Sequence, residues 1–223
     1  MVAAWNATDA FEVARLIFVI DADDPRHPEY FEHHANPADP RAVVYFVTEA
    51  AWHPLVPKLN AAALRAASAE AGFEYIGFLG DDHVPRTRGW AQAMIRTLDE
   101  METGIVYPDD GFQHEKLPTC WAMSADIIRA LGRMVPADVA HMFCDNSLLV
   151  LGRATNTLRY LPEVLIEHMH PAAGKGNVDS TYALSNNDDR YRGDEARYRL
   201  WLSQQRPRDV QAIEALKGVA RGE

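Results

Sequence analysis

Two apolar runs that each end on acid narrow the folding options of this chain more than anything else in it. Arg15-Leu-Ile-Phe-Val-Ile-Asp21 and Phe73-Glu-Tyr-Ile-Gly-Phe-Leu-Gly80 are unbroken enough to be strands covered on both faces, and the second discharges into Asp81-Asp82-His83. Ala42-Val-Val-Tyr-Phe-Val-Thr48 repeats the pattern. Between the last two, Val56 to Ala71 is rich in alanine and leucine and stops at Gly72, as a helix does. Strand, helix and strand in alternation predict an α/β fold built on an open, mostly parallel sheet flanked by helices. Ligands of such sheets collect at the carboxyl ends of strands, where both acidic turns, Asp21-Ala-Asp23-Asp24 and Asp81-Asp82-His83, fall.

Further along, Thr87 to Met101 is expected to be helical, Gly104 to Tyr107 a short strand, and Pro118 to Met123 a strand running into a helix over Ser124 to Leu131. Ser124 is placed to cap that helix. Asp138 to Arg153 is amphipathic, and Leu158 to His168 is a long strand. Continued alternation puts His168 and His170 on one face. The chain then turns polar, so residues 1–175 are expected to form one domain. Residues 176–223 read as a polar loop and a helical, partly mobile tail.

At 223 residues and 48% apolar content the chain can bury one sizeable core without disulfides. Its two cysteines, Cys120 and Cys144, lack the spacing of a zinc site or a secreted framework, which fits a reducing cytoplasm. No apolar run is long enough to span a bilayer, so no membrane association is expected. A net charge of −10 opposes binding to phosphate backbones, and nucleic acid is not an expected partner. Acids gathered at one place suit a divalent cation instead.

A strand-end Asp-Asp-His supplies hard carboxylate oxygens and an imidazole, a set suited to Mn²⁺ or Mg²⁺ bound together with phosphate oxygens; isolated, the same acids would as readily make an Asx turn. With Lys58-Leu-Asn60 ahead of it and Val84-Pro85 behind, the segment resembles the A-type-fold glycosyltransferases, particularly their large second sequence family and a compact subgroup often encoded by bacteriophages. The resemblance runs from about Arg15 to Lys175. It implies transfer of a sugar from a nucleotide-diphosphate sugar to a hydroxyl acceptor on protein or glycan. Asp21, with Asp23 behind it, matches an acid that contacts the base or ribose, and Lys58 and Asn60 match polar residues near the nucleotide. Asp82 matches the metal-binding acid of an Asp-x-Asp motif. Gly80 replaces that motif's first Asp, leaving Asp81 to supply the ribose contact. In a second register Asp81-x-His83 looks like an Asp-x-His motif, with His83 a ligand. Asp145, in Cys144-Asp145-Asn146, matches the family's catalytic base, with Cys144 in place of the usual Glu. His168 or His170 matches a late metal ligand, and Lys175, between Gly174 and Gly176, a residue that contacts the diphosphate.

Two other readings compete. A nucleotidyltransferase shares the sheet architecture, but the Gly-rich phosphate loop expected after the first strand is missing. A noncatalytic remnant that binds nucleotide or protein fits Gly80 and Cys144. Related transferases also open with a strand before the helix found here at Met1. Residues upstream, another segment or a second copy of the chain, as in a homo-oligomer, are therefore expected to cover the gap.

Overall fold

The structure, a computed structural model, describes residues 1–22, 24–25, 28–29, 44–48, 54–176 and 187–220, with backbone alone at 44–48 and 219–220. Asp23 lies outside the described residues. Strands β1 (Ile17–Asp21) and β2 (Val44–Thr48) pair in parallel, Ile17 opposite Val44 and Asp21 opposite Thr48. A second sheet holds β3 (Tyr75–Phe78), β4 (His83–Pro85), β5 (Ile105–Asp109), β6 (Trp121–Ser124) and β7 (Leu158–His168), in the spatial order β3-β6-β5-β7-β4.

In this larger sheet only β5 and β7 run parallel; β3 with β6, β6 with β5, and β4 with β7 are antiparallel. The expected mostly parallel sheet is therefore corrected to a mixed one. The reason lies in the connections. Parallel neighbours need a crossover across a sheet face, usually a helix. Between β5 and β6 the chain makes only one 3₁₀ turn, His114–Lys116, and simply turns back.

Helices cover both faces of the sheet. On one side lie α1 (Val2–Ala7) and α3 (Trp90–Met101), which contribute Trp5, Trp90, Met94 and Leu98 to a core that also takes Val106 and Ile166. On the other lie α2 (Leu55–Ala66), α4 (Ala125–Leu131), α5 (Cys144–Ala154), α6 (Asp188–Gln204) and α7 (Arg206–Ala220). Their Val56, Ile127, Leu148, Trp201 and Ile213 share a second core with Ile105, Tyr107 and Met123. Adjacent residues of β5 thus feed opposite layers, as the two-residue period of a strand requires. Trp90, Met94 and Leu98 recur every four residues and form one stripe of α3. Burying each such side chain contributes roughly 1.5–3 kcal/mol.

Two local expectations change. Ser124 stands at the N-cap of α4, but its hydroxyl accepts the Gly104 N–H at 2.9 Å instead of capping the helix. The segment expected to be helical from Asp138 becomes α5 only at Cys144. Ahead of it, the N–H groups of Ala140, His141 and Met142 all donate to the buried Asp194 carboxylate at 2.8–2.9 Å, which holds them in a turn. Among the described residues no helix is long and apolar enough to cross a membrane.

Candidate metal and nucleotide site

The turn between β3 and β4 sets the site. His83 N–H donates to Gly80 O at 3.1 Å, and Met169 N–H donates to Asp82 O at 2.8 Å, so the turn is tied to the end of β7. Across the β4–β7 ladder His83 is the direct partner of His168, and the two rings stack with centroids 4.2 Å apart. The Asp82 carboxylate bridges them: Oδ2 is 3.0 Å from His168 Nε2 and Oδ1 is 3.2 Å from His83 Nδ1. One ligand atom from each of Asp82, His83 and His168 lies within 4.8 Å of the others. Neighbouring ligands held about 2.1 Å from one cation sit about 3 Å apart, the size of both Asp82–imidazole separations.

Gly80 is what keeps this arrangement open. A Cβ there would lie 2.7 Å from Asp82 Oδ1 and 2.8 Å from His83 Nδ1. The departure from the Asp-x-Asp pattern is thus a steric requirement of a set that uses His83. Two imidazoles and one carboxylate are a softer donor set than Mg²⁺ prefers and favour a first-row transition ion.

Charge follows geometry. Burial by itself would raise the Asp82 carboxyl, but hydrogen bonds to His168 and His83 outweigh it and hold it well below the carboxylate range. Burial would lower His168, yet the Asp110 and Asp82 carboxylates on its two sides push it up to about 9. Burial and the charge of His168 lower His170.

The site opens into a cleft of about 2220 Å³ between β1 and β3, walled also by Lys58, Asp145, His168 and His170. At its β1 end Lys58 Nζ and Asp21 Oδ2 pair at 2.8 Å. Asp81 is exposed on the cleft beside Asp82. Asp145 stands in the first turn of α5, entered through Phe143 at φ 68°, a left-handed conformation uncommon for a bulky residue. Burial raises its carboxyl above the ordinary value, against the pull of backbone hydrogen bonds, the Asn146 N–H first, and of the His168 charge.

Three expected contacts are placed differently. β7 ends at His168, so His170 is not carried by strand alternation. It reaches the cleft from the following turn, where its Nδ1 accepts the Ala172 N–H and its ring stacks on Phe112, and it is outside the three-residue metal grouping. Asn60 is buried and does not line the cleft. Its amide donates to Val135 O and accepts from Met134 and Val135 N–H at 2.9–3.0 Å, a clamp on the loop after α4. Lys175 pairs with Glu167 Oε1 at 2.8 Å, in a cluster with Arg86 away from the cleft lining.

The sequence reading passed over Asp110, Thr119 and His141. Asp110 had a signal: Asp109-Asp110 is a second strand-end acidic pair, followed by Gly111. His141 lines the cleft with a pKa lowered by burial and by Arg190.

No protein-family model matches this sequence, and no curated protein does. Among solved structures, the mannosyltransferase PcManGT from Pyrobaculum calidifontis, in complex with GDP-Man and Mn²⁺, matches at a TM-score of 0.51 and 14% identity. The match covers 94% of this chain and 66% of that one, so this chain spans just under two thirds of the mannosyltransferase's length. The two share a fold.

Proposed function

We propose that this protein transfers a sugar from a nucleotide-diphosphate sugar to a hydroxyl acceptor with the help of Mn²⁺ or Mg²⁺, Mn²⁺ being the better match. The observation that carries this reading is the convergence of Asp82, His83 and His168 on one edge of a cleft whose other end holds the Lys58–Asp21 pair. A glycosyltransferase fold, shared with an enzyme solved with GDP-Man and Mn²⁺, supports it.

In this reading Asp82, His83 and His168 hold the cation, which supplies positive charge against the departing diphosphate. Asp21 and Lys58 face the nucleotide, with Asp81 at the ribose. Asp145 accepts the proton of the acceptor hydroxyl, and its raised pKa makes it a stronger base than an exposed aspartate. The enzyme would be a compact, cytoplasmic transferase of bacteriophage type.

Every residue from Arg15 to Asp21 and from Gly72 to His83 lines the cleft, so strand edges and not single faces border it. Among the described residues β1 pairs only with β2, and β3 only with β6. One more extended segment between them would join the two sheets and satisfy both edges.

The test is product analysis with a panel of nucleotide-diphosphate sugars and Mn²⁺. Transfer or slow hydrolysis of one donor is expected. Donor binding without turnover would favour a noncatalytic role. Release of pyrophosphate from a nucleoside triphosphate would favour a nucleotidyltransferase.

A further inference from the structure

We propose that Asp110 is a positioning residue that sets both imidazoles of the cation site. Its side chain is 1% exposed. Oδ1 is committed to the turn after β5, accepting the N–H groups of Phe112, Gln113 and His114 at 2.8, 2.6 and 2.9 Å. Oδ2 faces the site. It accepts the Thr119 hydroxyl at 2.8 Å and stands 3.7 Å from His168 Nδ1, an ion-pair separation. That Nδ1 is buried and has no hydrogen-bond partner among the described residues. The backbone fixes the approach, because His168 N–H donates to Asp110 O at 2.9 Å.

The two histidines receive this carboxylate by different routes. At His168 it stands beside Nδ1 and favours a proton there, while the nearer Asp82 carboxylate, 3.0 Å from Nε2, holds that nitrogen until a cation takes the proton's place. At His83 the route runs through Thr119. Thr119 has given its own proton to Asp110 and can only accept from His83 Nε2, 3.4 Å from its Oγ1. That leaves His83 Nδ1, which accepts the Gly80 N–H at 3.1 Å and must release it to ligate a cation. One buried carboxylate thereby biases each ring toward offering the nitrogen that faces Asp82, although it lies outside the ligand set.

This inference rests on the cation-site reading above, and the experiment separates the two. The isosteric Asp110→Asn keeps Oδ1 for the three turn amides but places an N–H₂ where Oδ2 was. That group donates to His168 Nδ1 and moves the ring proton to Nε2. Nitrogen-15 NMR of metal-free protein above pH 9, in an Asp82→Ala background where the nearer carboxylate no longer holds Nε2, reads the tautomer, and Mn²⁺ alone, titrated calorimetrically into protein that keeps Asp82, reads the site. Expected for Asp110→Asn are a protonated Nε2 at His168 and Mn²⁺ affinity lowered about 10–100-fold, with the circular dichroism of the wild type. Thr119→Val, which cuts only the His83 route, should weaken Mn²⁺ less and leave the His168 tautomer alone.

A His168 ring still protonated on Nδ1 in Asp110→Asn, with unchanged Mn²⁺ affinity, would overturn the inference. If Asp110→Asn fails to fold, unchanged Mn²⁺ affinity in Thr119→Val would overturn it as well. Wild-type protein that binds no Mn²⁺ would sink the cation-site reading instead, while the tautomers would still report on Asp110.

Discussion

Asp82 Oδ2 stands 3.0 Å from His168 Nε2 across 86 positions of sequence, and it is the contact around which the site is organised. Asp82→Ala removes the only carboxylate of the three-residue grouping. Mn²⁺ affinity should fall by more than about 100-fold, and Mn²⁺-dependent donor binding should go with it, while the fold persists. Calorimetry giving wild-type Mn²⁺ affinity would remove Asp82 from the site.

Gly80→Ala places a methyl group 2.7 Å from Asp82 Oδ1 and 2.8 Å from His83 Nδ1. Both ligands must shift, so Mn²⁺ affinity should drop by about tenfold or more, with only a small change in thermal midpoint. A substitution as small as this one that left Mn²⁺ binding unchanged would show that His83 is not a ligand.

Metal-free protein should lose stability as pH rises. His168 goes from an ordinary 6.5 to about 9 on folding, so its contribution is complete below pH 6.5 and disappears as pH passes through about 9. The size is on the order of 1–3 kcal/mol. Cation binding has the opposite dependence: Nε2 must give up its proton, so Mn²⁺ affinity should climb by up to about tenfold per pH unit until about 9. Urea melts and Mn²⁺ titrations at several pH values check both signs.

Asp145→Asn should lower kcat by about 10²–10⁴-fold with donor affinity nearly unchanged, the pattern of a group used in the chemical step. Because burial raises the carboxyl, the acid limb of the wild-type rate profile should lie above the 3.8 of an ordinary aspartate. Equal loss of donor binding would reassign Asp145 to a structural part.

Asn60→Ala should behave differently. It strands a buried carbonyl and two buried N–H groups around Val135, which costs about 2–4 kcal/mol of stability. Donor affinity per folded molecule should not change.

Strand positions were legible where the code is local. Leu158 to His168 was read to the residue, and β1 and β3 to within a few, because continuous apolar runs ending on acid need no knowledge of their neighbours. Pairing was not legible in the same way. β4 is three residues long and carries no periodicity, yet it brings His83 against β7. The antiparallel β5–β6 pair did have a signal, since no crossover helix fits between Tyr107 and Pro118. Asn60 shows the opposite limit: it stands two residues from Lys58 on the same helix, but its partners lie about 75 positions away and decide which way its amide faces. The metal grouping was half local, in Asp82-His83, and half a consequence of the fold, in His168.

The pairing of His83 with His168 has one more consequence. Those two residues close a loop that takes in all of α3, β5, β6, α4 and α5, and a one-residue slip between β4 and β7 would swing His168 to the opposite face of the sheet. A cation held by both would work as a removable staple that accepts a single register. Chelation would then do more than empty a site: it would release the proofreading of a strand alignment fixed otherwise by three residue pairs.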